Sequence, residues 1–269
     1  MQNATVKQCC ATFYGSDLSR ALLGDSFHPG GVQLTRRIGN LLGLTADSHV
    51  LDVAAGRGTS ALSLASIFGC RVTGIDLSEQ NVSVAGGEAE AQQLTDRVQF
   101  RLADAERLPF PDASFDAIVC ECAFCTFPGK DIAAAEFARV LRPGGLVGIS
   151  DLTRSDAPLP DLEGLLAWIA CIGDALPLQS YASVLESAGL TVVTTEAHHD
   201  VLAAMVRDVQ SRLLGIEIAT GLGKLKIPGL DLAEVKRLAK AAANAVRQEA
   251  LGYAILIAQK PAAVSVTGV

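Results

Sequence analysis

Asp52, the Gly56-Arg57-Gly58 turn, Asp76 and Asp104 are the residues whose types and spacing suit a nucleoside. The stretch Asp52-Val53-Ala54-Ala55-Gly56-Arg57-Gly58-Thr59 follows the apolar run His49-Val50-Leu51 and precedes Ser60-Ala61-Leu62-Ser63-Leu64-Ala65. A strand, a glycine turn and a helix in that order make a pocket for a charged small molecule at the strand end. Asp76 closes the next apolar run, and Leu77 follows it. A carboxylate about 20 positions after the turn accepts hydrogen bonds from both ribose hydroxyls. Asp104-Ala105-Glu106 follows a third apolar run, where Asp104 is placed to accept from an adenine amino group.

Nicotinamide dinucleotides and S-adenosylmethionine both fit such a frame. A pyrophosphate is cradled by G-x-G-x-x-G, and Ala61 stands where the third glycine would be, a tolerated replacement. The carboxylate of Asp52 discriminates better. A negative charge at the strand end repels a pyrophosphate and suits the α-ammonium group of a methionine moiety.

A second constellation is sulfur. The run Cys120-Glu121-Cys122-Ala123-Phe124-Cys125 puts three cysteines in six residues after the fourth apolar run. Cys171 follows Trp168-Ile169-Ala170, and Cys9-Cys10 lies near the front of the chain. Soft thiolates select soft centres such as trivalent arsenic. The spacing is not that of zinc, because the single C-x2-C pair, Cys122 and Cys125, has no matching second pair, and no metal site is expected. Cysteine is also a small buried hydrophobe, so packing competes with chemistry at each position, and Cys70 reads as packing. Cys120 is expected to pack in its strand and offer its backbone to the cofactor. His28 is a base or a structural loop residue, and Tyr14 is expected to close over the methionine end. His198-His199, Lys224 and Lys226 read as exposed, and Trp168 as pocket wall or core.

The elements that must position these residues follow from periodicity. Apolar runs predict strands at 50–53, 71–75, 98–102, 115–120 and 146–150. Helices are predicted at 31–42, 60–68, 78–93 and 131–141, the last stopped by Arg142-Pro143-Gly144-Gly145. Beyond these, helices are predicted at 162–175, 181–188, 201–216 and 231–249, strands at 191–196 and 253–259, and a flexible link at 221–229. Alternation of strand and helix implies an α/β fold, a doubly wound sheet with helices on both faces. The chain divides into a front lid segment at 1–45, a core at 46–198, C-terminal helices and a last strand at 199–260, and a tail at 261–269.

Composition excludes several classes. The chain has 269 residues, and 49% are hydrophobic, enough for a large core. A formal charge of -7 repels phosphate backbones, so nucleic acid is not an expected partner. No apolar stretch is long enough for a membrane span, and no signal peptide is evident. A cytoplasmic protein is expected.

Together, Asp52–Thr59, Asp76, Asp104–Glu106 with Leu108-Pro109-Phe110, and Ser114–Val119 resemble the class I S-adenosylmethionine-dependent methyltransferases. The resemblance covers about residues 50–150. It implies a mostly parallel seven-stranded Rossmann-like sheet with an N-terminal lid and a helical C-terminal insertion. It implies S-adenosylmethionine as co-substrate and Asp52, Ala54, Gly56, Gly58, Asp76, Leu77, Asp104, Ala105, Cys120 and Tyr14 as its contacts. Cys122 after the fourth strand and Trp168…Cys171-Ile172 after the fifth further resemble the arsenite methyltransferases. That resemblance implies that Cys122 and Cys171 hold arsenite as the substrate, with Cys125 of the same cluster a further candidate, although no cysteine follows Cys171 where that family usually has one. The run at 108–116 and Arg142–Gly145 equally resemble quinone and sterol methyltransferases, which implies a small organic acceptor. A non-catalytic protein that binds cofactor or metalloid is the reading from outside the enzyme class.

Overall fold

A computed structural model describes residues 3–24, 27–163, 171–221 and 231–262. Trp168, Lys224, Lys226, the predicted link and most of the tail lie outside the described residues. So does most of the helix predicted at 162–175; of its described ends, Cys171–Ala175 is not helical.

Seven strands form one sheet in the order β3-β2-β1-β4-β5-β7-β6. β1 (His49–Val53), β2 (Arg71–Asp76), β3 (Val98–Leu102) and β4 (Phe115–Glu121) run parallel, as does β5 (Leu141–Arg154) beside β4. β6 (Thr191–Ala197) and β5 both pair antiparallel with β7 (Leu251–Gln259), which lies between them. The chain's last strand therefore completes the core sheet. Val50, Leu51 and Val53 of β1 are fully buried, as expected for a strand covered on both faces.

Two predicted boundaries shift. β5 begins at Leu141, not 146, because Leu141 pairs with Phe115 across an irregularity that absorbs Pro143 and the two glycines. The turn there is held by Gly144 N–H donating to Lys260 O and Lys260 N–H donating to Gly145 O. The helix predicted at 201–216 is longer, His199–Gly221.

Nine helices are described. α1 (Asn3–Gly15), α2 (Asp17–Leu23) and α3 (Gly31–Leu41) precede the sheet; α4 (Thr59–Phe68), α5 (Glu79–Ala91) and α6 (Lys130–Val140) connect its strands. α7 (Leu178–Ser187), α8 (His199–Gly221) and α9 (Leu232–Arg247) follow. Side chains cap three of them: Ser16 Oγ accepts from Ser19 N–H, Ser78 Oγ from Asn81 N–H, and Asp231 Oδ1 from Glu234 N–H. The α8 and α9 helices pack on each other and on the β7 side of the sheet, at the same end as α1 and α2.

Candidate active site

A cleft of about 790 Å³ opens at the carboxyl ends of β1, β2 and β4. Ala54, Gly56, Asp76, Leu77, Asp104 and Ala105 line it, as the motif spacing implied. The turn needs its glycines. Gly56 and Gly58 both have positive φ, and a Cβ on Gly58 would lie 2.6 Å from Phe100. Ala54 also has φ +57, a conformation an alanine adopts at some cost.

Asp76 is fixed from three sides. Its Oδ2 accepts from Gly56 N–H at 2.9 Å, and its Oδ1 accepts from Ser78 N–H at 2.8 Å and from Asn81 Nδ2 at 3.3 Å. Burial raises its pKa, while the bonds from Ser78 and Gly56 pull the other way. Each carboxylate oxygen keeps lone-pair capacity toward the cleft, which fits a ribose diol.

Asp104 also has a partner within the chain. Lys7 Nζ donates to both its oxygens at 3.0 and 2.7 Å and also pairs with Glu106 at 2.7 Å. Lys7 belongs to α1, so the front segment is pinned at the Asp104 end of the cleft. Cys10, Ala11 and Tyr14 of the same helix line the cleft further along. The front segment is thus helical where it meets the cleft. Cys10 faces the cleft, and burial raises its pKa to about 12; Cys9 does not line the cleft.

Asp52 lies beneath the cleft, in a side recess shared with His28, Ser60 and Glu121. It is 2% exposed, and its Oδ2 has no hydrogen-bond partner. Burial and the neighbouring Glu121 push its pKa well above the usual carboxylate range. Glu121 Oε2 accepts from Ser60 Oγ at 2.6 Å and Thr35 Oγ1 at 2.9 Å, while its Oε1 is also unpartnered. Two buried carboxylate oxygens without donors call for a cation. The α-ammonium group of a methionine moiety meets that need, so the residues fit S-adenosylmethionine. Motif reading missed Glu121, although a carboxylate at a strand end was visible within the cysteine run. His28 is buried, with Nε2 3.4 Å from Ser60 Oγ and 3.7 Å from Glu121, so it belongs to this polar floor.

Not every expected contact faces the cleft. Gly58 does not line it, and Cys120 is fully buried within β4, where its side chain packs in the core. Cys70 is likewise packed. His198 pairs with Glu196, and His199 Nδ1 accepts from Tyr253 N–H, so both have structural partners.

The remaining cysteines do converge. Cys122 Sγ lies 3.9 Å from Cys171 Sγ, and Tyr14 Oη lies 3.2 Å from Cys171 Sγ. Cys125 is buried, and its N–H donates to Asp151 Oδ2 at 2.8 Å. Cys122 and Cys171 both have left-handed backbones, φ +52 and +64, a strain concentrated where two loops meet. Among the described residues, no group of three ligands has the geometry to hold a metal ion.

A second cavity of about 1120 Å³ adjoins the cleft and shares Tyr14, Phe27 and Cys122 with it. Its other walls come from α2, α8 and α9, including Leu22, Met205, Val209, Leu238 and Ala242. A nucleoside cleft with polar anchors, joined to a separate apolar chamber, defines a group-transfer enzyme of the nucleoside-binding α/β class.

A family model described as "Methyltransferase domain" matches residues 51–149. The chain is 31% identical over 231 residues to the O-methyltransferase cnsE of Penicillium expansum, covering 86% of this chain and 78% of that one. It is 30% identical over 264 residues to the methyltransferase GfsG of Streptomyces halstedii, covering 91% of each. Among solved structures, a putative sarcosine dimethylglycine methyltransferase from Galdieria sulphuraria superposes with TM-score 0.79 at 20% identity, over 94% of this chain and 98% of that one. The [4+2]-cyclase SpnF superposes with TM-score 0.77 at 23% identity, over 95% and 96%. A cyclase in the same fold shows that the fold by itself does not name the reaction. The sequence relatives do: the chain belongs to the class I S-adenosylmethionine-dependent methyltransferases. S-adenosylmethionine is its methyl donor.

Proposed function

We propose that this methyltransferase acts on a small, largely apolar organic molecule. One observation carries the reading: the chamber beside the cofactor cleft is walled almost wholly by apolar side chains. Burying an aliphatic or aromatic acceptor there stabilises binding by about 25 cal/mol per Å². A charged acceptor would lose its hydration without a partner. The relatives' names agree in kind. They include a 27-O-demethylrifamycin SV methyltransferase of Amycolatopsis mediterranei, 29% identical over 262 residues, and a sterol 24-C-methyltransferase of Gibberella zeae.

The donor supplies an electrophilic methyl group on a sulfonium. We assign Asp76 to its ribose, Asp52 and Glu121 to its ammonium end, and Ala105 and Leu77 to the walls beside its adenine. Tyr14, Phe27 and Cys122 stand where cleft and chamber meet, so they position the accepting atom and exclude water. Among the described residues, no helix is long and apolar enough to cross a membrane.

The arsenite reading rests on one feature, the approach of Cys122 and Cys171 with Cys125 in reach. Against it stand an apolar chamber far larger than an arsenite ion needs and relatives named for organic acceptors. The deciding experiment supplies labelled S-adenosylmethionine with sterols, macrocyclic polyketides, phenols and arsenite. Methyl transfer to an organic acceptor is expected. Transfer to arsenite alone, abolished in Cys122→Ser and Cys171→Ser, would overturn the proposal in favour of the metalloid.

A further inference from the structure

We infer that Cys171 is the general base that takes the proton from an acceptor hydroxyl, its sulfur held in place by Tyr14 and Cys122. The inference rests on the organic-acceptor reading above and adds the residue that makes O-methylation feasible.

An alkyl hydroxyl must lose its proton as it attacks, and something at the chamber must receive it. Among the described residues lining the chamber, only Tyr14, Cys122 and Cys171 can titrate. No carboxylate or histidine lines it: Asp52, Glu121 and His28 line the recess, and Glu121 lines the cleft as well. Of the three, Cys171 is where the donors point. The Tyr14 hydroxyl lies 3.2 Å and the Cys122 thiol 3.9 Å from its sulfur.

That arrangement selects the charge. Hydrogen bonds from Cys122, Cys125 and Tyr14, with the field of Lys130, hold the Cys171 thiol well below its ordinary range and outweigh its burial. The bond to Cys171 and then burial push the Cys122 thiol up, while burial first and then Cys171 push the Cys125 thiol up, which leaves both protonated. Lys130 is itself buried and paired with Asp174 on the far side of the loop. Two groups oppose the thiolate: Asp151, from β5, and the Cys10 thiol, from α1. Burial raises Asp151 to about 7, so near neutrality its opposition is partial. The protonated form also has a place. Cys171 Sγ lies 3.4 Å from Cys122 O, which accepts from the thiol. A base that must cycle needs a partner for each of its states, and this sulfur has both.

The step balances without a further reagent. The acceptor O–H bond breaks, its proton passing to Cys171 Sγ and its electron pair remaining on oxygen. That pair forms the new O–CH3 bond as the methyl–sulfonium bond breaks and its electrons return to the donor sulfur. The products are the methyl ether, S-adenosylhomocysteine and a Cys171 thiol, which returns its proton to solvent.

The test uses two acceptors that fit the chamber, an alkyl alcohol and a nitrophenol already ionised at the assay pH. Cys171→Ala should lower kcat on the alcohol by about 100-fold or more, the range of general-base catalysis. It should leave turnover of the ionised phenol within about threefold. Cys171→Ser, the conservative variant, should bind S-adenosylmethionine normally in calorimetry, so a folding defect is detected separately. Independently of turnover, alkylation of Cys171 by iodoacetamide, mapped by mass spectrometry against pH, should reach half-rate below the ordinary thiol range of about 8.5. Alcohol turnover retained in Cys171→Ala, equal losses on both acceptors, or a half-rate in the ordinary range would each overturn the assignment. Failure of the wild-type enzyme to methylate either acceptor would overturn the organic-acceptor reading and the base role together, while the alkylation profile would still report whether Cys171 is a thiolate.

Discussion

The two halves of the active site are built by different means. The cleft we assign to the donor is made of strand ends and the turns that follow them, and the anchors proposed in it are carboxylates: Asp76 and Asp104 in the cleft, Asp52 and Glu121 in its recess. The chamber beside it is made of helix faces, and its walls are leucines, valines and alanines. A donor common to a whole enzyme family needs fixed polar anchors, which a rigid sheet supplies. An acceptor that differs between relatives needs only a shaped apolar volume, which helices supply and can change. The contrast can be broken from either side.

The largest effect should come from the cleft. Asp76→Ala removes the group assigned to both ribose hydroxyls and the acceptor for Gly56 and Ser78 N–H. A hydrogen bond to a charged group contributes about 1.5–3 kcal/mol, so two lost bonds weaken S-adenosylmethionine binding by roughly 100-fold or more. Calorimetry should show that loss with the fold intact. A variant that binds the donor normally would remove Asp76 from the site.

The boundary between the halves should reveal itself in pH. Asp151 is fully buried beneath the cysteines, and burial raises its pKa from 3.8 to about 7. Its neutral form is favoured in the fold, so its stabilisation is complete below about pH 4 and is lost as pH rises through about 7. From about pH 5 to about pH 7 that loss amounts to about 2 kcal/mol, taking about 1.4 kcal/mol per pKa unit. Asp151→Asn cannot titrate. Urea unfolding should show the wild type losing stability over that interval relative to the variant. Parallel pH profiles would mean that Asp151 does not titrate there.

The same contrast explains what could be read from the sequence. The cleft's lining was legible because each carboxylate stands at or near the end of its own strand or within a few residues after it. Asp52, Asp76 and Asp104 are local signals, and alternation alone placed their strands side by side. Cys122 and Cys171 were legible as candidates for the same reason, each at a strand end or the loop beyond. The chamber was not legible. Its walls pair α2 with helices about 180 residues later, and an apolar helix face looks the same whether it packs on a sheet or encloses a ligand. Lys7 was invisible too, since nothing local ties a lysine in α1 to a carboxylate after β3. Cys120 packs in its strand as its position implied. It shares the strand end with Glu121, but the alternation of β4 turns its side chain into the core.

Filling the chamber tests the other half. Leu238→Trp on α9 adds bulk to a wall that touches no cofactor anchor. Acceptor KM should rise about tenfold, with an overpacking cost of about 1–3 kcal/mol in stability. Donor affinity should stay within about twofold. Equal loss of both affinities would show that the chamber and the cleft are one site.

The smallest effect concerns the helix that spans both halves. α1 is held at the cleft by Lys7 on Asp104 and Glu106, and at the chamber by Tyr14 on Cys171. Burial works against the Lys7 ammonium, but the bonds to the two carboxylates more than offset it and raise its pKa. Both partners are partly exposed, so the pair contributes at most about 1 kcal/mol. Lys7→Ala should therefore speed donor release by no more than about fivefold in stopped-flow displacement. Because salt screens an exposed pair, the wild type should approach the variant's rate as ionic strength rises, with the variant itself little changed. A rate difference that survives high salt would mean that Lys7 holds the lid by packing its aliphatic stem, and the cleft end of α1 would then resemble the chamber end more than the charges suggest.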